Sequence, residues 1–412
     1  MSEPAATALQ TESPPARGRV REVALLFLRL GFTAFGGPAA HVAIIEDEVV
    51  QRRRWIDRAH FLDIVAAVNF VPGPNSTELA IHLGQLRAGF AGLVAAGVCF
   101  IAPAVLIILP IAWAYTTYGA LPQVQPVLRT IGAAIVAVVA VATYRFLRTA
   151  VTDTFTGVLC AAVIAGALLL QRYTRLQPEI IALGSAAAAG AIRSTRARRP
   201  RAVLSISPVL ALAPLISGDF ARMALFFLKV GATLFGSGYV LVSYLQSGLV
   251  DDHRWLTQRQ LLDAIAVGQF TPGPLLTTAT FVGFVLGHTT FGGGTPGGFV
   301  GAIVATVAIF LPSFVFVALL GPLLQRLRTN PTARGALDAM NAAVVGLMIV
   351  VAARLALVAV FKEPLRAIDW LNVLILACTM AALLVWKLNA TWVVLVAALA
   401  GWVASLCGVA SF

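Results

Sequence analysis

Long apolar segments alternate with short polar stretches along almost the whole chain, and this alternation predicts membrane helices. Most of the apolar segments reach the roughly 20 residues that a helix needs to cross a bilayer. They lie near 22–45, 59–86, 90–118, 124–148, 154–171 and 176–194, and again near 219–247, 259–288, 297–322, 336–360, 368–386 and 390–410. The pattern therefore predicts an all-α polytopic membrane protein with roughly 10–13 membrane segments.

The same order of segments occurs twice because the chain contains an internal repeat. The run Phe27–Gly37 matches Phe227–Ser237 at an offset of 200 residues, and Pro72–Pro74 matches Pro272–Pro274 at the same offset. About a third of the intervening positions are identical, which is more than a shared apolar composition would give. We expect a disordered cytosolic tail over 1–20, a first repeat over 21–195, a basic linker with a short membrane segment over 196–218, and a second repeat over 219–412.

The composition agrees with a membrane protein and excludes several other classes. Apolar residues make up 59% of the chain and charged residues only 12%, too few to cover the surface of a soluble multidomain protein. The net charge of +12 is explained by basic cytoplasmic loops, so we expect a lipid bilayer and no nucleic acid as partner. An anionic substrate would also suit this charge. The sequence contains no enzyme motif, no metal-ligand spacing and no cofactor motif, so it predicts neither an enzyme nor a bound cofactor.

The positions of the basic residues predict the orientation of the two repeats. The clusters Arg17–Arg21 and Arg52–Arg58 place the N-terminus and the loop after the first segment in the cytoplasm. The first two segments of the first repeat then enter the membrane and return, the second of them at Arg87, although each could instead cross. In the second repeat the strongest cluster, Arg326–Arg334, follows the third segment. This different position of the basic cluster in the second repeat fits an inverted-topology repeat with the C-terminus outside.

Glycine and proline interrupt the first two segments of each repeat at matched positions. Unwound backbone at membrane depth is tolerated where it is buried or lines a cavity, and a helix that restarts there presents free N–H groups and a partial positive charge. Paired breaks of this kind in two halves point to an anion-binding transport site, and a structural kink is the alternative. The candidate substrate-binding residues at these breaks are Gly36, Gly37, Asn69, Pro72, Gly73, Pro74, Asn75, Ser76, Gly236, Ser237, Gly238, Gln269, Pro272, Gly273, Pro274, Thr277 and Thr278.

The two halves differ immediately after the second break. Asn75 and Glu78 have the spacing of a helix N-cap and its partner in a capping box. Glu78 also lies four residues before His82, so this pair is a candidate for proton coupling. The second half has Thr277 and Thr278 in the matching stretch and no acid, so we expect the closest contacts with an anion there and at Gly236–Gly238.

Two further matched pairs carry charge. Arg29 and Lys229 lie seven residues before the first break of each half, where they could bind a dianion or extend to the membrane interface. Asp63 and Asp263 lie early in the helix that leads to the second break. They are candidates for proton coupling, and stabilisation of the helix dipole is the alternative.

These motifs together resemble the chromate ion transporter (CHR) family, in its long-chain bidomain form. The resemblance rests on Phe32–Pro38 in part, on Arg52–Trp55, and on Phe61–Asp63 followed by Pro72–Pro74, with second copies in the other half. It implies a multi-pass inner-membrane protein that exports chromate at the expense of the proton-motive force and gives chromate resistance. Another oxyanion such as sulfate, or a membrane-embedded enzyme that uses Glu78 and His82, is the alternative. The sequence also allows a homodimer.

Overall fold

The computed structural model describes residues 16–35, 38–121, 124–170, 178–195, 218–236, 238–362 and 367–406. These residues form fifteen α-helices and one antiparallel ribbon, in which β1 (Phe361–Lys362) pairs with β2 (Ala367–Ile368). The first unit contains α1 (Ala16–Thr33), α2 (Pro38–Glu46), α3 (Arg58–Val68), α4 (Asn75–Tyr118), α5 (Gln125–Ala150), α6 (Thr154–Leu170) and α7 (Pro178–Thr195). The second unit contains α8 (Asp219–Thr233), α9 (Leu241–Leu245), α10 (Gln258–Phe270), α11 (Thr278–Val285), α12 (Gly294–Thr329), α13 (Pro331–Val360), α14 (Trp370–Leu384) and α15 (Ala390–Leu406).

The predicted all-α polytopic membrane fold is confirmed. Four described helices, α4, α5, α12 and α13, are long and apolar enough to cross a membrane. The first 15 residues of the expected tail over 1–20 lie outside the described residues, and α1 begins at Ala16. The expected membrane segment in the linker lies outside the described residues.

Helix α4 is two helices joined by a sharp reversal. Ala88 and Gly89 leave the helical conformation, and Gly89 has a φ of +63°, which favours glycine. A Cβ atom on Gly84 would collide with the carbonyl oxygen of Gly92, so the chain folds back tightly on itself. The part before the reversal is short: about 13 residues, or roughly 20 Å at 1.5 Å per residue, against a hydrocarbon core of about 30 Å. The spanning part of α4 therefore begins after Gly89.

Both interrupted segments of the first unit return to the side on which they start. Glu22, near the start of α1, accepts hydrogen bonds from Arg53 (3.2 Å) and Trp55 (3.0 Å) in the loop after the first segment. The same carboxylate accepts from Arg87 (2.8 Å) at the end of the second segment. Because these contacts join the beginning and both returns of the chain, the two segments are re-entrant helical hairpins.

The second unit repeats this arrangement with different chemistry. Aromatic rings replace the ion pairs: His253 stacks on Trp255 at 4.4 Å between ring centroids, and Trp255 meets Phe291 at 5.3 Å. The backbone is repeated in detail, because Arg54 and Arg254 both adopt the left-handed conformation, with φ of 51° and 53°. The two units are thus copies in structure as well as in sequence.

The hairpins of the two units enter from opposite sides. Tyr115 lies near the end of α4 that is remote from Arg87, and its hydroxyl donates to Asp263, early in α10, at 2.8 Å. Its ring also packs against Phe281 of α11 at 5.1 Å. The second unit therefore starts its hairpin where the spanning part of α4 ends, which is the arrangement expected for inverted repeats.

Candidate functional site

The tips of the four re-entrant hairpins meet in the middle of the protein and exchange backbone hydrogen bonds. The N–H of Gly73 donates to the carbonyl of Leu234 at 2.7 Å, and the N–H of Gly273 donates to the carbonyl of Ala34 at 3.0 Å. Each donor and each acceptor is 200 positions from its counterpart. This reciprocity is what a two-fold relation between the units produces. The breaks therefore form a single junction between the units.

A small cavity of about 40 Å³ lies at this junction. It has room for a few water molecules at most, since one water needs roughly 10–15 Å³. All four hairpins contribute to its wall, as does the turn before α15. Its lining residues are Ala34, His41, Pro74, Ser76, Gly238, Tyr239, Gly268, Gln269, Thr271, Gly273, Leu275, Asn389, Ala390 and Thr391. We call it the central cavity.

Five of the predicted substrate-binding residues line the central cavity. They are Pro74, Ser76, Gly238, Gln269 and Gly273. Pro72 and Pro272 flank the glycines that exchange the backbone bonds. The remaining predicted residues at the first breaks are placed only in part, because Gly36, Gly37 and Ser237 lie outside the described residues.

Gly236 takes a φ of +94°, a conformation that favours glycine. A Cβ there would lie 2.9 Å from the ring of Phe146 and 3.2 Å from the side-chain oxygen of Asn341. The break before α9 is therefore held against α5 and α13.

The predicted capping box at the start of α4 is wrong. Pro74 occupies the N-cap position, and no side chain caps this helix. The amide of Asn75 instead donates to the side-chain oxygen of Asn69 at 2.6 Å, which ties the two sides of the hairpin together. Proline at the cap position explains the failure, because the box needs a side-chain acceptor one residue earlier than Asn75 supplies it.

Glu78 turns away from the helix end and reaches the other unit. Its side chain is fully buried, and one carboxyl oxygen accepts a hydrogen bond from Ser313 of α12 at 2.5 Å. Its second oxygen has no hydrogen-bond partner among the described residues. The structure gives no hydrogen bond between Glu78 and His82, within the ranges it describes. The two residues share a helix face as predicted, but their side chains do not form a pair.

The two threonines of the second unit are buried, but neither lines the central cavity. Thr277 donates its hydroxyl to the carbonyl of Pro274 at 2.7 Å, and Thr278 donates to Leu275 at 2.8 Å. Both hydroxyl protons are therefore used within the first turn of the restarted helix. In this conformation these hydroxyls can only accept.

The matched basic residues also lie away from the central cavity. Arg29 forms an ion pair with Glu48 at 2.5 Å, and the ammonium of Lys229 lies 5.8 Å from the ring centre of Phe226. Burial raises the pKa of the Glu48 carboxyl, but the contacts with Arg29, Arg52 and Arg53 outweigh this effect and hold the pKa below its usual value. These contacts favour the alternative in which the side chains of Arg29 and Lys229 extend to the membrane interface.

The two matched aspartates have different surroundings. Asp63 is exposed, whereas Asp263 is buried against Tyr115. The two aspartates therefore occupy matched positions in the sequence but have different chemical environments.

Five polar residues of the central cavity were not among the candidate substrate-binding residues, namely His41, Tyr239, Thr271, Asn389 and Thr391. Tyr239 directly follows Gly238, and Thr271 directly precedes Pro272, both of which were predicted. Proximity to a break was therefore the signal that could have identified these two residues. Asn389 and Thr391 come from the turn between α14 and α15, which carries no such break. The shortness of α14, at 15 residues, was the signal that this turn lies inside the membrane.

One basic residue lies close to the central cavity. Arg145 donates to the carbonyl of Leu383 at 2.9 Å, at the end of α14, and interacts electrostatically with Tyr239. It was not among the sequence candidates. No cluster of metal-ligating side chains occurs within the described ranges.

Two inverted units whose broken helices enclose one polar cavity define a polytopic membrane protein with the architecture of secondary transporters. A family model described as "Chromate transporter" matches residues 21–191 and 221–402. The chain therefore belongs to the chromate transporter family.

Several curated relatives align with the chain over most of their length. The chain is 31% identical to a probable chromate transport protein of Synechococcus elongatus, over 76% of this chain and 78% of that protein. It is 29% identical to the chromate transport protein of Cupriavidus metallidurans, over 79% and 80% of the two chains, and 29% identical to that of Pseudomonas aeruginosa, over 96% and 95%. No solved structure matches the chain.

Proposed function

We propose that the protein is a secondary active transporter that exports chromate across the inner (plasma) membrane and so gives chromate resistance. The observation that carries the proposal is the junction of four broken hairpins around the central cavity, in a chain whose relatives are described as chromate transport proteins. The helices that restart at Pro74 and Gly238 direct their positive ends toward this junction. A tetrahedral dianion would be held there by backbone N–H groups and by the side chains of Ser76 and Gln269.

Transport requires the two units to separate at the junction. The central cavity is too small for a substrate with its hydration shell, so the protein is closed around this cavity in the described conformation. Rocking of one unit against the other would break the bonds from Gly73 to Leu234 and from Gly273 to Ala34. In this scheme the units 21–195 and 219–412 are the moving bodies, with the N-terminus cytoplasmic and the C-terminus outside.

Glu78 is the best candidate for proton coupling. It is fully buried, and it forms a hydrogen bond with Ser313 of α12 in the other unit. A carboxylate without a compensating cation is costly to bury, so its ionisation would favour a conformation that admits water. His82, Asp63 and Asp263 are weaker candidates, because none of them joins a first-unit hairpin to α12 among the described contacts.

Uptake of chromate into everted membrane vesicles tests the proposal. We expect uptake that depends on a proton gradient and is abolished by an uncoupler, and competition by excess sulfate measures selectivity between the two oxyanions. Ser76→Ala should reduce uptake, whereas Ser185→Ala, at an exposed position of α7 remote from the cavity, should not. Absence of energised uptake of both chromate and sulfate would refute the transport proposal.

Proton coupling is tested separately. Glu78→Gln should abolish gradient-driven uptake but retain exchange of chromate across the vesicle membrane, since the amide keeps the shape of the side chain. His82→Gln, on the same helix face, tests the weaker candidate in the same assay. Equal gradient dependence in Glu78→Gln and the unmodified protein would exclude Glu78 as the coupling residue.

The alternative of a membrane-embedded enzyme has little support. It would need a reactive cluster at membrane depth, and the structure gives no hydrogen bond between Glu78 and His82 within its described ranges.

A further inference from the structure

A second cavity, of about 350 Å³, lies on the face of the protein remote from Glu22. It is formed where α5, α10 and α14 begin and where α13 ends. Arg129 is in the second turn of α5, Arg259 is the second residue of α10, and Asp369 is the N-cap of α14. Because these are helix ends on one side of the protein, the cavity lies at the level of the lipid headgroups. We call it the headgroup cavity.

Among the described residues, charges of both signs line the headgroup cavity in equal number. Arg129 and Arg259 face it together with Asp263 and Asp369. The carboxylates are held in place, since Asp263 accepts from Tyr115 at 2.8 Å and Asp369 accepts from the backbone N–H of Asn372 at 3.3 Å. A dianion such as chromate would meet two carboxylates as well as two guanidinium groups. A ligand that carries both a phosphate and an ammonium matches this lining better.

An apolar slot of about 460 Å³ adjoins the headgroup cavity. Leu128 and Asp263 line both spaces, so the two lie side by side with these residues between them. The slot runs along α10 as far as Phe270 and is otherwise walled by apolar side chains of α4, α5 and α15. It therefore leads from the headgroup level toward the middle of the membrane. Both volumes are in the range of roughly 300–1,000 Å³ that is typical of ligand pockets.

We propose that the headgroup cavity and the apolar slot together bind one phospholipid with an amine in its headgroup. Arg129 and Arg259 hold the phosphate, Asp369 pairs with the ammonium, and one acyl chain occupies the slot. A phospholipid is the occupant that combines the two signs of charge with an adjoining apolar chain. The proposal does not depend on the identity of the transported ion.

The lipid would also act on the central cavity. Helix α10 carries Arg259 and Asp263 at one end and Gln269 at the other, so it is a wall of both sites. A lipid wedged against α10 would stabilise the position of the hairpin tip. We therefore expect the rate of transport to depend on the aminophospholipid content of the membrane.

Native mass spectrometry of the purified, delipidated full-length protein tests the site. Phosphatidylethanolamine, phosphatidylcholine and phosphatidylglycerol are added separately at equal concentration. We expect one phosphatidylethanolamine to be retained most strongly, and retention about tenfold weaker in Arg129→Gln/Arg259→Gln, which is about 1.4 kcal/mol. Ala398→Trp, which fills the slot, should have a similar effect. Arg148→Gln and Val158→Trp, at exposed positions outside both cavities, are the matched controls and should retain the lipid.

Three outcomes would overturn the proposal. Equal retention of phosphatidylglycerol and phosphatidylethanolamine would remove the role of the ammonium, and equal retention by the site and control variants would indicate general surface lipid. Displacement of the lipid by added chromate or sulfate, dependent on the two arginines, would assign the headgroup cavity to the oxyanion instead. Should the double arginine variant fail to fold, Arg129→Lys/Arg259→Lys and Ala398→Trp decide the test, with retention expected in the former and loss in the latter.

Discussion

Replacement of Gly73 by alanine should destabilise the junction far more than the same change at its counterpart, Gly273. Gly73 has a φ of +138°, and an added Cβ would collide with the carboxyl oxygen of Glu78 and lie 2.7 Å from the hydroxyl of Ser313. Gly273 has a φ of +96°, but its added Cβ would lie no closer than 3.2 Å to its nearest neighbour, Ala104. The two substitutions therefore share a backbone cost and differ in the collision.

The magnitudes follow from these two terms. A non-glycine residue in a sparsely populated backbone region costs about 1–3 kcal/mol, which both variants bear. Overpacking adds about 1–3 kcal/mol to Gly73→Ala alone, and loss of the hydrogen bond between Glu78 and Ser313 adds about 1 kcal/mol. We therefore expect Gly73→Ala to be destabilised by roughly 2–4 kcal/mol more than Gly273→Ala.

Thermal unfolding of the two purified variants in the same detergent measures this difference. A second substitution checks its cause: Glu78→Ala in the Gly73→Ala background removes the atoms that the new Cβ would meet, so part of the lost stability should return. Equal unfolding midpoints for Gly73→Ala and Gly273→Ala, or no recovery in the double variant, would refute the reasoning about the collision.

Three further predictions concern charged groups outside the central cavity. Glu22→Gln should lower the free energy of unfolding by about 1–3 kcal/mol, because it weakens four hydrogen bonds at once, whereas Asp219→Asn, at an exposed acid, should have little effect in the same unfolding assay. Tyr115→Phe leaves the buried carboxylate of Asp263 without its donor and should cost about 1–3 kcal/mol, with exposed Tyr118→Phe as the neutral control. The pKa of Glu48 is lowered in the folded protein, so its ion pairs stabilise the fold at neutral pH. That contribution should be lost as the pH falls below 4.5. An unfolding midpoint of Glu48→Gln that varies with pH in the same way as that of the unmodified protein would contradict this prediction.

The sequence predicts the architecture well because the relevant signals are local. Each hairpin tip coincides with a break that contains glycine, with proline in three of the four, and the offset of 200 residues pairs Gly73 with Gly273. The opposite insertion of the two units follows from basic clusters alone, and the contact between Tyr115 and Asp263 agrees with it.

Side-chain partners are predicted less well, because they come from the other unit. The pattern of Asn75 and Glu78 indicates a local cap, but Glu78 finds Ser313, which is 235 positions away. The cavity wall at Asn389 is missed for a related reason. Its turn becomes part of the site only because α14 is too short to cross the membrane, and helix length is a weak signal in an apolar sequence.

The reciprocal bonds between the hairpin tips also set a constraint on biosynthesis. During translation, the carbonyl of Ala34 and the N–H of Gly73 are made long before their partners at Gly273 and Leu234. The partner of Gly73 follows 161 residues later and that of Ala34 follows 239 residues later. At about 5–20 residues per second, these intervals last roughly 8–48 s. For that time the nascent first half holds unpaired backbone groups at membrane depth, where they are costly. Water, lipid headgroups or an insertion factor must shield these groups until the second half arrives.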